Sequence, residues 1–285
     1  MQNKIALMIW TVVFLLLPFV VSAGPIRLAP LPMLDEATSI RQFLPFAHYL
    51  SDITGKQVDL VYHQNYKVLL DEFMHDNIDL AYLGPLPFVL LMRENPDFVP
   101  LVRFVDADGA STYTCSLVAF DRDILNGNFT STTPVALTQP YSTCGYLLTE
   151  HLLNRQSFSL KNTPFYYAGH HSECALNVIR GKATVAGLKT SIAQQYRHLG
   201  LQLIEESEPL PGFLLVANPR TLTAEVIEQI RSSLLSLDPR HNPDDATLTA
   251  AWGKNIRYGT IPVQVDDYQH IETQLNQIKI PGVNQ

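Results

Sequence analysis

Apolar residues in this chain fall into short continuous runs that alternate with stretches of helical spacing. "IRLAP" (26–30), "VDLVYH" (58–63), "IDLAYLG" (78–84) and "FVPLVRFV" (98–105) have strand length and predict buried strands. Between the first two, "ATSIRQFLPFAHYLSDITG" places Ile40, Phe43, Leu44, Ala47 and Leu50 at helical spacing and stops at Gly55. "YKVLLDEFMHD" (66–76) predicts a second helix with Val68, Leu69 and Phe73 inward. "PLPFVLLMREN" (85–95) predicts a third, opening on a proline that the first helical turn tolerates and running into Pro96.

The alternation continues through the second half. "TYTCSLVAF" (112–120), "TPVALT" (133–138), "TPFYYAG" (163–169), "ATVAGL" (183–188), "LQLIEES" (201–207) and "GFLLVAN" (212–218) predict strands. "GYLLTEHLLNRQ" (145–156), "SECALNVIRG" (172–181), "TSIAQQYRHLG" (190–200), "TAEVIEQIRSSLLSL" (223–237), a short segment near "DATLTAAW" and "DDYQHIETQLNQI" (266–278) predict helices. Strand–helix alternation implies an α/β fold of mostly parallel sheets flanked by helices. Two such series, with "DADGAST" (106–112) and "SEPLPGF" (207–213) as crossings between them, predict two lobes joined at a hinge. The expected division is a leader over 1–23, lobe 1 over 24–107 and 212–285, and lobe 2 over 108–211. A cleft between such lobes gathers strand C-termini and helix N-termini, where ligands of open α/β sheets collect.

The first residues set the compartment. Lys4 precedes an apolar run over 5–21, and Val21-Ser22-Ala23 has the small-residue spacing of a signal-peptidase site. An exported, periplasmic protein is therefore expected, with the segment cleaved or kept as an anchor. The formal charge is −7, and loss of Lys4 makes it more negative, which argues against nucleic acid or an anionic membrane as partner. A small anion is not excluded, because local dipoles set a buried site. The three cysteines, Cys115, Cys144 and Cys174, allow at most one internal disulfide in an oxidising compartment and leave one free thiol, with the pairing open.

Candidate chemistry concentrates in "QPYSTCGYLLTEHLL" (139–153), where Ser142, Thr143 and Cys144 stand in a row before Gly145 and an apolar helix. A cap needs one hydroxyl, and the free N–H groups of a helix start favour an anion. An ordinary cap and an anion seat are the two readings. His170-His171 with Glu173 invites a metal, but no second ligand pair stands at helix spacing elsewhere, so no metal is expected. His171 is left as an anion donor, neutral or protonated, or a structural cap, and His170 as a surface residue. Lys189, at a strand end, reads as a solvated surface lysine first, with a positive charge added to the pocket as the rival role. No G-x-S-x-G, H-E-x-x-H, P-loop or G-x-G-x-x-G fingerprint is present, so neither an enzyme nor a cofactor is expected. A hydrolase built on Ser142 and His171 would lack a placed carboxylate to orient the histidine.

Residues 43–91, "FLPFAHYLSDITGKQVDLVYHQNYKVLLDEFMHDNIDLAYLGPLPFVLL", together with "YSTCGYLL" and "YYAGHHSECALNVIRGKATVAGL", resemble the phosphonate/phosphite/phosphate-binding proteins of bacterial ABC importers (PhnD-like). The resemblance spans about residues 26 to 218. It implies the two-lobed periplasmic-binding-protein fold and a monomeric carrier that closes on a phosphorus oxyanion and presents it to an ABC permease. It also implies Ser142, Thr143, the backbone around Cys144 and Gly145, His171, Tyr66 and Tyr82 as ligand-binding positions. Packing is the rival role for both tyrosines. Two departures stand out: Cys144 replaces the third small residue of the "StSG" turn, and Thr184 occupies an aspartate position. The second puts an amine-bearing ligand in doubt, unless Glu173 substitutes. The changed cleft also admits a sensory relative that signals to a membrane histidine kinase, with a different small anion. Cys144 is either an uncharged lining residue or half of a disulfide with Cys174.

Overall fold

The computed structural model describes residues 24–120, 124 and 134–284; the expected leader lies outside the described residues. The chain first alternates β1 (Ile26–Pro30), α1 (Glu36–Thr54), β2 (Val58–Leu60), α2 (Tyr66–Met74), β3 (Leu80–Leu83), α3 (Pro85–Glu94) and β4 (Val99–Phe104). It then crosses through β5 (Thr112–Tyr113) into β6 (Cys115–Ala119), β7 (Val135–Leu137), a π-helical turn (Thr143–Leu147) and α4 (Leu148–Arg155). β8 (Phe165–Tyr167), α5 (His171–Ile179), β9 (Val185–Lys189), α6 (Thr190–Gln195) and β10 (Gln202–Glu206) complete the second unit. The return runs through β11 (Leu210–Pro211) to β12 (Leu214–Ala217), α7 (Ala224–Ser236), α8 (Pro243–Thr249), β13 (Thr260–Ile261) and α9 (Gln269–Gln277).

Two sheets result, in the orders β13-β4-β12-β3-β1-β2 and β10-β6-β9-β7-β8. In the first, β1 to β4 point one way and β12 and β13 the other. In the second, only β6 opposes its neighbours. The reversed strands β6 and β12 are those the chain enters from a crossing, where no crossover helix forces the parallel sense. β3, β6, β9 and β12 are buried along their whole length, as strands covered on both faces must be. β5 and β11 pair with each other as a two-stranded ribbon between the sheets, and Gly212 N donates to Ser111 O beside it. A Cβ on Gly212 would stand 2.7 Å from that same carbonyl, so the two crossing strands approach this closely only because residue 212 is glycine.

Helix α1 starts at Asp35, whose side chain accepts from Thr38 N, and ends at Gly55 in the left-handed conformation, φ 65°. Its buried stripe is Phe43, Phe46, Ala47 and Leu50, an i, i+3, i+4, i+7 set. Ile40 and Leu44, expected inward, are exposed on the rim of that stripe, which is already filled by Phe43 and Phe46. Val68 is likewise exposed, since α2 packs through Tyr66, Leu69, Leu70 and Phe73 on its other face. The helix expected over 145–156 begins earlier, as the π turn, with non-helical backbone at Gly145 (φ −71°, ψ −123°).

The disulfide joins Cys115 to Cys144, so the Cys144–Cys174 pairing is not formed; Cys174 is a free thiol, buried, with its pKa pushed up by that burial. It staples the π turn to β6 across 29 residues of sequence. Closing a loop of this length restricts the unfolded chain by about 3.6 kcal/mol. Replacing both cysteines by alanine is expected to lower the unfolding free energy by about that amount in a chemical denaturation titration.

Candidate functional site

Because the sheets are mostly parallel, the turns that follow their strands lie on facing edges. Leu31 and Met33 follow β1, Tyr66 opens α2 after β2, and Gly84 and Pro87 begin α3 after β3. From the other side come Ser142, Thr143 and Cys144 after β7, His171 at the first position of α5 after β8, and Lys189 at the end of β9. Tyr113 and Phe213 from the crossings complete the walls of one cavity, whose free space is about 10 Å³, room for a single water-sized sphere.

The lobes touch through this cavity's rim. Leu86 N donates to Thr143 Oγ1 at 3.0 Å, Tyr66 N donates to Gln139 Oε1 at 3.0 Å, and Gln139 Nε2 donates to Pro32 O at 3.3 Å. Pro85 and Pro87 have no N–H, and Phe88 N is used by Gly84 O, so Leu86 is the donor that α3 can offer across the cleft. Closure this tight means that a ligand enters only when the lobes part. Each bond broken on opening is worth only about 1 kcal/mol net, because water replaces it.

Ser142 occupies the cap position of the π turn yet makes no capping hydrogen bond. Its hydroxyl instead meets the Tyr66 phenol, and Thr143 meets the Tyr113 phenol. All four residues are buried, and burial pushes both phenol pKa values up, so these are protonated hydroxyls. Thr143 accepts from Leu86 N and keeps a proton to donate. Gly145, expected among the binding positions, is outside the cavity lining, and its N–H donates to Ser142 O at 2.9 Å. Its role is steric: a Cβ there would meet Gln139 O at 2.4 Å.

His171 is buried and its Nδ1 accepts from Lys189 N at 3.0 Å. That bond leaves the proton of the neutral ring on Nε2. Burial first, then Lys189 and His170, push its pKa down to about 3, so the ring is a neutral donor rather than an imidazolium. Tyr82 is fully buried outside this cavity, stacked behind Phe213 at 5.4 Å and 11°. Its hydroxyl is unpartnered among the described residues. Tyr82 is thus a packing residue that supports the wall, and the phenol-bearing residues that line the cavity are Tyr66 and Tyr113.

Sequence reasoning placed Lys189 at the surface, whereas the structure buries it, with Nζ 5.0 Å from the Phe213 ring centroid and 5.3 Å from that of Tyr113. Position 189 closes a strand buried along its whole length. Arg27 and Arg103 lie elsewhere, paired with Asp79 at 2.8 Å and Asp267 at 2.7 Å. Glu173 pairs with Arg180 at 3.3 Å, half-exposed, and does not line the cavity. Among the described residues no group of three or more His, Cys, Asp or Glu side chains is placed to hold a metal, and no helix is long and apolar enough to cross a membrane.

Two α/β lobes joined by a two-stranded ribbon, with polar donors facing each other across the gap, define a binding protein that closes on a small ligand. The chain belongs to the family described as "ABC transporter, phosphonate, periplasmic substrate-binding protein", whose profile matches residues 28–268. Among curated proteins it is similar to the phosphate-import protein PhnD of Mycolicibacterium smegmatis, 27% identical over 228 residues, 73% of this chain and 70% of the relative. Among solved structures it is similar to PhnD1 of Prochlorococcus marinus in complex with methylphosphonate. There the TM-score is 0.76 at 17% identity, covering 90% of this chain and 98% of the other. A binding-protein component of an ABC phosphonate transporter from Pseudomonas aeruginosa gives a TM-score of 0.73 at 19% identity, covering 88% and 85%.

Two outcomes follow from the local geometry. Gly145→Ala is expected to cost about 1–3 kcal/mol, since the methyl group must displace backbone, readable as a lowered denaturation midpoint. A histidine whose folded pKa lies below its unfolded value binds protons more readily when unfolded. The contribution of His171 is therefore whole above about pH 6.5 and is lost as pH falls toward 3. Between pH 6 and 4 this one group should remove up to about 1.4 kcal/mol per pH unit. Denaturation of His171→Gln over the same range should show a correspondingly shallower acid limb.

Proposed function

We propose that this protein captures a small phosphorus oxyanion (phosphonate, phosphite or phosphate) between its lobes and delivers it to the permease of an ABC importer. The observation that carries the reading is convergence: the Ser142 and Thr143 hydroxyls, neutral His171 and the Lys189 ammonium line one cavity at which helix starts from both lobes meet. Helix N-termini and hydroxyl donors suit an oxyanion, and donors from two lobes on one ligand favour the closed form. The ligands named for the Mycolicibacterium and Prochlorococcus proteins, phosphate and methylphosphonate, fall in the same class.

The reading assigns no bond making or breaking. His171 Nδ1 is engaged by the Lys189 backbone, which weighs against its serving Ser142 as a general base, and no carboxylate lines the cavity to orient it. A monomer that exchanges open and closed forms in the periplasm, its leader removed on export, is the state proposed.

A thermal-shift screen against phosphate, phosphite, methylphosphonate, sulfate and small carboxylates tests this. A ligand at 100 times its Kd should stabilise the protein by about 2.7 kcal/mol. Ser142→Ala should weaken that ligand roughly 10- to 100-fold, the worth of one charge-assisted hydrogen bond. A flat response to every phosphorus oxyanion would overturn the proposal.

A further inference from the structure

Lys189 is the cationic side chain of the cavity wall, and among the described residues it forms no ion pair. It is 5% exposed, and among the described residues no carboxylate lies within 4 Å of its ammonium. Its near neighbours are the faces of Tyr113 and Phe213, which attract a cation but accept no hydrogen bond of ordinary strength. Asp106 acts on it from farther off, across an adjoining hinge cavity that Lys189, Tyr113 and Phe213 also line; Asp106 does not line the cleft cavity. A buried charge with neither a counter-ion nor full hydration is costly to keep unless something meets it.

The rest of the wall says what can meet it. Its polar side chains are hydroxyls, a neutral imidazole and the lysine, and the remainder is Leu31, Met33, Gly84, Pro87, Phe213 and the disulfide-bonded Cys144. Cys115, the partner of Cys144, sits directly across from Lys189 in the β6–β9 pairing, so the disulfide fixes the Ser142-Thr143 pair to the strand that neighbours the lysine. An oxyanion seated on the hydroxyls would have the ammonium within the same small cavity. A ligand that also carries an ammonium would bring a second positive charge into a space with no carboxylate to receive it, and Glu173 is turned away to Arg180.

Resting on the oxyanion-binding reading above, we infer that Lys189 is the counter-charge of the bound oxyanion and that it restricts the ligand to phosphorus oxyanions without an amine. The lysine thereby acts as a specificity determinant through charge, attractive to one half of a zwitterionic ligand and repulsive to the other.

Calorimetric titration of the purified protein with methylphosphonate, phosphite, phosphate and 2-aminoethylphosphonate tests the inference. The best amine-free ligand should bind about tenfold or more tightly than 2-aminoethylphosphonate. Lys189→Gln and Lys189→Met, checked for folding by circular dichroism, should weaken that ligand about tenfold or more and shrink the preference to within about threefold. The wild-type preference is measured independently of the variants, so a variant that fails to fold does not shelter the inference. Equal binding of the aminated and amine-free ligands, or folded variants that keep wild-type affinity, would overturn this inference and leave the oxyanion reading standing. Binding of none of the four would overturn the oxyanion reading, and this inference with it.

Discussion

Strand direction is the constraint on which this molecule depends. Parallel strands joined by crossover helices leave each following turn at the same edge of the sheet, and each helix presents its positive end there. Here β1, β2 and β3 deliver Leu31 and Met33, Tyr66, and Gly84 and Pro87 to one edge. β7, β8 and β9 deliver the hydroxyl row, His171 and Lys189 to the other. The ribbon of β5 and β11 faces these edges toward each other. A chain with formal charge −7 thus builds a cavity whose local field favours an anion.

The closed arrangement is held by few directed contacts, as an opening device requires. Thr143 Oγ1 and Gln139 receive the first N–H groups of α3 and α2, donors that a helix start would otherwise give to water. Each bond is worth only about 1 kcal/mol net, because water would replace it. The rigidity lies instead inside each lobe. Fully buried strands and the stacked Tyr82–Phe213 pair fix the cleft wall in one, and the Cys115–Cys144 disulfide fixes the hydroxyl row in the other.

Charges divide along the same line. Arg27 meets Asp79 with three hydrogen bonds, and Arg103 meets Asp267; both serve lobe 1 alone. Lys189, at the end of a buried strand, is held over aromatic faces and forms no ion pair among the described residues.

The sequence by itself determined the local elements and their order. Apolar runs and helical spacing marked nearly every strand and helix, small and turn-forming residues marked the crossings near 106–112 and 207–213, and "YSTCG" marked a helix start with more hydroxyls than a cap uses. The sequence singled out Ser142, Thr143 and Cys144 by local pattern, and His171 and Tyr66 by family resemblance; the structure places all five in one cavity wall. What only the tertiary structure decided depends on residues far apart in the chain. Cys115 pairs with Cys144 because β6 runs beneath the π turn, Tyr113 and Phe213 enter from the two crossings, and Tyr82 is screened by Phe213. Ile40, Leu44 and Val68 face outward because the stripe beside them was already filled. Lys189 reads as a surface residue in any local window, since the burial that makes its charge consequential is supplied by β6, Tyr113 and Phe213, all distant in sequence. Periodicity fixes which face of an element is apolar, whereas the partner that covers a charge is chosen only when the sheets assemble.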